Sequence, residues 1–174
     1  MTLALLFMFA ALAGGPPADD PLAPARQGKL QCHEPDLVNR RCQVLSRFEF
    51  AMDGTITNVG EFMISERPLI IVTTRTPVTS RGGEVCGDRR MTAVSEVFVD
   101  DQPPTAQEMI DVRAMLAQAL QPDFGKQSCS RYSPDGEFLR SQRSVDGVRD
   151  PTDDGRILWV DPDSGFTVRP QSGV

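Results

Sequence analysis

The sequence predicts an α+β domain, mainly antiparallel β-sheet with one amphipathic helix at about 105–120 and two disulfides. Three observations carry that expectation. Short alternating or β-branched runs are separated by Asp-Gly and Gly-Gly turn signals, a single stretch has helical spacing behind a capping pattern, and four cysteines follow an apolar amino-terminal run.

From the amino terminus, Leu3 to Leu12 ("LALLFMFAAL") is apolar and uncharged but shorter than the ~20 residues a membrane-spanning helix needs. It has signal-peptide length, and Ala11-Leu12-Ala13 offers small residues for cleavage after Ala13. The expectation is therefore a signal peptide at 1–13 and an exported soluble chain without a membrane anchor. No cysteine follows the apolar run closely enough for lipid attachment, since Cys32 is the first. Residues 14–28, "GGPPADDPLAPARQG", are rich in Gly, Pro and Asp and are expected to be a disordered leader. Residues 29–170 then form one α+β domain, with 171–174 as a carboxy-terminal tail.

The cysteines are Cys32, Cys42, Cys86 and Cys129. An even count behind an export signal argues for disulfides, and of the three formal pairings Cys32–Cys42 with Cys86–Cys129 is favoured. The first pair is close in sequence and lies between two extended segments. These bridges close loops of about 11 and about 44 residues, worth about 3 and about 4 kcal/mol in the chain-entropy account. "QCHEPDLVNRRCQ" sets two cysteines around His33, the only histidine, but zinc would need four ligands in two close pairs. A redox site would want Cys-x-x-Cys. The segment reads as a stapled loop, with His33 beside the bridge as a surface or loop residue.

After Cys42, "SRFEFAMDGTITNVGEFMIS" alternates through Phe48, Phe50 and Met52 to an Asp53-Gly54 turn, then through Ile56, Phe62 and Ile64: a hairpin signal. "PLIIVTTRTPV" is a buried strand closed by Pro77. Gly82-Gly83 makes a turn, Glu84 to Gly87 brings Cys86 back toward the sheet, and "TAVSEVFVD" is a further strand. Thr105 with Glu108 forms a capping box after Pro103-Pro104, and Met109, Val112, Met115, Leu116 and Ala119 share one helical face before Pro122 ends the helix. The last third places turns at Asp135-Gly136, Asp146-Gly147, Asp154-Gly155 and Asp163-Ser164-Gly165, between "EFLRSQRSV", "RILWV" and "FTVRP". That pattern predicts a β-meander with Trp159, the only tryptophan, in the core or at its rim.

Few residues carry chemistry. A net charge of −6 removes general attraction to nucleic acid or anionic lipid. A hydrolytic triad has one histidine to draw on and no Gly-x-Ser-x-Gly elbow. Asp150, Asp153, Asp154, Asp161 and Asp163 are the calcium candidates, although the Asp-x-Asp-x-Asp-Gly spacing with a distant Glu is not met and Asp also suits turns. Converging acids such as Glu49 or Glu61 would support a small periplasmic hydrolase. No catalytic residue, metal or cofactor is assigned.

The apolar leader, "GKLQC", "TPVTSRGGEVCGD" and the tail "RILWVDPDSGFTVRP" resemble small exported proteins of alphaproteobacteria of the Caulobacter and Sphingomonas kind, which have no assigned activity. The resemblance implies a periplasmic or secreted location. The expected function is a noncatalytic exported domain that binds a protein or a cell-envelope component. The alternatives are the carboxylate hydrolase and a calcium-stabilised, inhibitor-like domain.

Overall fold

The computed structural model describes residues 20–120 and 125–170, so the expected signal peptide, the expected tail and Pro122 lie outside the described residues. The elements run α1 (Ala23–Arg26), β1 (Leu30–His33), β2 (Val44–Phe50), β3 (Ile56–Glu66), β4 (Leu69–Arg81), β5 (Glu84–Asp88), a 3-10 turn at Arg89–Met91, β6 (Ala93–Val99), α2 (Ala106–Leu120), β7 (Gln127–Asp135), β8 (Phe138–Val145) and β9 (Val148–Val160).

Pairing runs β3-β2-β1-β9-β8-β7-β5-β4 and returns from β4 to β3, closing an eight-stranded barrel. Every ladder is antiparallel. Barrel neighbours are neighbours in sequence, with β9 returning to β1, so the topology is up-and-down and closure removes the exposed edges an open sheet would present. The one long detour is between β5 and β7, through β6 and α2. β6 continues the line of β5 along β4, pairing over Ile70–Arg75 while β5 takes Val78–Arg81.

The turn chemistry explains the short connections. Gly82 and Gly83 both have positive φ (62° and 76°), as a two-residue hairpin whose twist matches its strands requires. Asp146 and Gly147 do the same between β8 and β9 (48° and 78°). Two predicted turn or end signals behave otherwise. Asp154-Gly155 lies within β9, where Gly155 pairs with Ser141 and four residues, 151–154, oppose Gln142 alone. That bulge is held because Asp153 pairs with Arg143 and Asp154 with Arg149. Pro77 does not end its strand either; it falls where β4 passes from β6 to β5, a gap in which no ladder donor is asked of it on that side. "FTVRP" is a strap rather than a strand. Thr167 bridges to Arg41, and Val168 is buried.

The barrel interior is lined by Phe48, Ile56 and Val85, with Phe50, Val78, Tyr132 and Trp159 packed against them. Into this cluster α1 drops Leu22 and Ala25, and Leu22 is 0% exposed. Residues 20–28 therefore belong to the domain, which corrects the expectation of a disordered leader over that stretch. The reason is local. Asp20 accepts from Leu22 N (3.0 Å) and from Arg26 Nε (2.8 Å), so the short helix is fixed at both ends and Leu22 can insert. Arg26 also stacks on Phe50 at 4.2 Å.

On the outer face, Cys32, Cys42 and Val160 pack with Leu45, Leu158 and Phe166. A third cluster joins Ile70, Val72, Val97 and Val99 to Val112 and Leu116 of α2, with Met109 against it. The capping box forms as predicted: Glu108 Oε2 accepts from Thr105 N and Oγ1, both at 2.7 Å. Met115 departs from the predicted apolar face. It is 46% exposed, because Met109, Val112 and Leu116 centre the buried stripe and Met115 falls beyond its rim.

Both disulfides join the predicted partners. Cys32–Cys42 spans 5.2 Å between Cα atoms, and Cys86–Cys129, directly opposed across β5 and β7, spans 4.0 Å. The second bridge staples the β5–β7 seam, whose connection runs through β6 and α2.

Candidate functional site

Side chains directly opposed across an antiparallel pair share a face. Gln31 opposes Ser46 and Trp159, and His33 opposes Val44 and Ile157, so Gln31 and His33 point into the barrel with Trp159. His33 is therefore part of a strand and of the interior, which corrects the surface-loop expectation. Its position follows from Cys32, whose sulfur is on the outer face with the bridge; the residues on either side must then face inward.

A polar group forms there. His33 Nε2 lies 3.0 Å from Gln31 Oε1, an acceptor, so the imidazole donates through Nε2–H. Burial holds the His33 pKa down at about 4, leaving the ring neutral at pH 7. Burial likewise pushes the Tyr132 phenol above its ordinary value, with the neighbouring Gln31 amide opposing that rise. Gln31 is 1% exposed, and its Nε2 is turned to the Tyr132 oxygen beyond ordinary hydrogen-bond geometry, while the buried Trp159 Nε1 has no hydrogen-bond partner. Deeper in the barrel Arg143 is buried, its Nε donating to Ser128 Oγ at 2.8 Å while Nη1 pairs with Asp153.

The α1 end of the barrel is only partly filled by that helix. Beside it opens a cavity of about 980 Å³, walled by Tyr132, Leu139, Ile157 and Trp159 and roofed by Pro21 and Pro24. Asp20, Arg131 and Glu137 stand at its rim. Burial raises the Asp20 pKa, but the hydrogen bonds from Arg26 and Leu22 N–H outweigh it and keep the carboxyl below its ordinary value. Arg131 is held by Glu84 at 3.1 Å. The cavity thus joins an aromatic and aliphatic wall to a charged rim, and eight-stranded barrels either fill with side chains or hold one small ligand.

The residues singled out from sequence do not converge on a site. The five calcium candidates are split between the two ends of β9. Asp153 and Asp154 are taken up by Arg143 and Arg149, Asp150 accepts from Thr152 N and Oγ1, and Asp161 pairs with Lys29 at 3.8 Å. Among the described residues the one metal-like group is Glu84 with Cys86 and Cys129, whose sulfurs are joined as a disulfide and cannot ligate. Glu49 and Glu61 both lie on the outer face. Glu49 opposes Thr57, four positions from Glu61 along β3, about 13 Å at strand spacing, beyond the reach of a glycosidase pair. Glu49 is moreover bound by Arg75, whose guanidinium holds its carboxyl below the usual range.

Trp159 was legible as a core residue; Gln31, Tyr132 and Leu22 carried no motif. The one available signal was alternation about Cys32. Comparison with protein-family models, with curated proteins and with solved structures gives no match.

Proposed function

We propose that the chain is an exported, noncatalytic binding domain, periplasmic or secreted, that carries a small ligand in the mouth of its barrel. The cavity beside α1, with its wall of Tyr132, Leu139, Ile157 and Trp159, is the observation that supports this reading. Two disulfides fit an oxidising compartment. Among the described residues no helix is long and apolar enough to cross a membrane. Of the two acids at the rim, Asp20 is taken up by Arg26, and among the described residues no histidine, cysteine, serine or threonine is in the cavity lining, which supports binding rather than turnover.

The sole tryptophan is in the cavity wall, which gives a direct assay. Titration with the neutral fluorophore N-phenyl-1-naphthylamine is expected to quench Trp159 saturably at one site by energy transfer. Leu139→Phe, which narrows the mouth, should weaken that binding several-fold. Absence of saturable quenching, or binding indifferent to Leu139→Phe, would overturn the proposal.

A protein partner is the second reading, and one observation favours it. Val38 is 90% exposed and Leu37 43%, at the tip of the loop closed by Cys32–Cys42. The loop is held further by Asp36, whose Oδ1 accepts from Val38 N and Asn39 N at 3.0 Å. A preordered apolar tip lowers the entropic cost of docking. Cross-linking in intact cells should trap a partner with the native chain and lose it with Val38→Asp; equal capture by both removes this reading.

A further inference from the structure

Charge at the barrel mouth is uneven. Three charged side chains, Asp20, Arg131 and Glu137, line the cavity there. Asp20 is paired with Arg26 at 2.8 Å and Arg131 with Glu84 at 3.1 Å, so each is neutralised in place. Glu137, by contrast, makes no ion pair or hydrogen bond among the described residues. The mouth is left with one uncompensated negative charge. The net charge of the whole chain, −6, has the same sign and raises the local concentration of cations.

Strand register brings that carboxylate level with the sole tryptophan. Leu139 opposes Ile157 across β8 and β9, and both are in the cavity wall. Two residues nearer the mouth on each side stand Glu137 and Trp159, which strand alternation directs to the same face and which both line the cavity. Trp159 is half-buried, and Tyr132 adds a second ring deeper in the wall. An aromatic ring attracts a cation through its quadrupole, tryptophan most strongly. The chain makes this contact twice at the α1 end, with Arg26 at 4.2 Å from the Phe50 ring centre and Arg156 at 5.2 Å from that of Phe138. No such cation stands over Trp159 or Tyr132 among the described residues. A carboxylate ligand would be repelled by Glu137 and find Arg131 already paired, whereas an uncharged one would leave Glu137 unused.

Resting on the barrel-mouth reading above, we infer that the ligand is a small organic ammonium ion with an apolar or aromatic body, its cationic head held between the Glu137 carboxylate and the Trp159 ring and its body lying against Tyr132, Leu139 and Ile157. The head stays at the wet rim, which limits the cost of desolvating its charge. The body enters the deeper wall, where the aromatic and aliphatic side chains give it contact area.

Three probes with one body and different charges test this on the whole chain. At neutral pH 4-phenylbutylamine is a cation, 4-phenylbutan-1-ol is uncharged and 4-phenylbutyrate is an anion. Each competes with N-phenyl-1-naphthylamine, read as loss of the bound fluorophore's emission. The amine is expected to bind about tenfold more tightly than the alcohol, the acid more weakly than either, and the amine's lead should shrink at high salt. Glu137→Gln, at an exposed position in the β7–β8 turn, should cut the amine's affinity several-fold and leave the alcohol's unchanged. Should this variant not fold, the order of the three probes on the native chain decides alone. Equal affinity for amine and alcohol, or an amine affinity indifferent to Glu137→Gln, would overturn the ammonium assignment while naphthylamine binding keeps the cavity reading standing. Tightest binding of phenylbutyrate would overturn it in favour of an anion site. Failure of the naphthylamine and all three probes to bind at millimolar concentration would overturn the cavity reading as well.

Discussion

Lowering the pH from about 7 to about 5 should destabilise the fold through one residue. His33 is the only histidine, and burial against Ile157 and Val44 holds its folded pKa at about 4 against 6.5 for a free imidazole. As pH falls, the unfolded chain takes the proton first. The His33 contribution is therefore complete above 6.5, is lost progressively between 6.5 and about 4, and is constant below that. Integrating the two titrations gives a loss of about 2 kcal/mol between about pH 7 and about pH 5. His33 keeps partial exposure, so this is an upper figure. It remains a large fraction of the ~5–15 kcal/mol typical of a folded domain. Carboxylates do not confuse the window. Asp88, Glu108 and Asp154 have folded pKa values below their ordinary 3.8 to 4.5, so their stabilisation is lost only as pH falls through and below that range. The assay is urea unfolding followed by Trp159 fluorescence at successive pH values, with His33→Gln as the control that cannot titrate. The native chain should lose stability across the window and the variant should stay level. An imidazole titrating near 6.5 in the folded state, or parallel curves for the two chains, would refute the placement of His33 inside the barrel.

Removing Cys86–Cys129 by a double Ala substitution should cost about 4 kcal/mol, since the bridge closes a sequence separation of 43, and the urea m-value should rise as the unfolded chain expands. A loss under about 1 kcal/mol would mean the unfolded chain is already restricted at that seam. Leu22→Ala should cost about 2–5 kcal/mol by opening a cavity among Phe48, Ile56 and Val85, measured by the same unfolding midpoint; a neutral result would return residues 20–28 to the status of a leader.

Local features were readable wherever a residue's own chemistry decides its structure. Gly82-Gly83 and Asp146-Gly147 turn because their φ values must be positive, and Thr105 with Glu108 starts α2 because the side chains meet donors within one turn. The cysteine pairs were readable because short-range and even-numbered pairing narrows the choice. Signals failed where a distant partner overrode them. Asp154-Gly155 remained in a strand because Arg149 and Ser141 hold it there, and a Gly/Pro/Asp-rich stretch was ordered because an aromatic hollow received Leu22.

By itself, the sequence determined that the chain is β-rich, bridged twice and built on tight turns, because those properties follow from alternation, φ preference and thiol chemistry along the chain. Only the tertiary structure decided that the sheet closes. Closure depends on β9 meeting β1, a pairing between residues more than a hundred positions apart that no local pattern encodes. The polar group inside the barrel arises from the same pairing. Trp159 and Gln31 become neighbours only when the last strand returns to the first, and a buried donor counts as unmet only once every group around it has been placed.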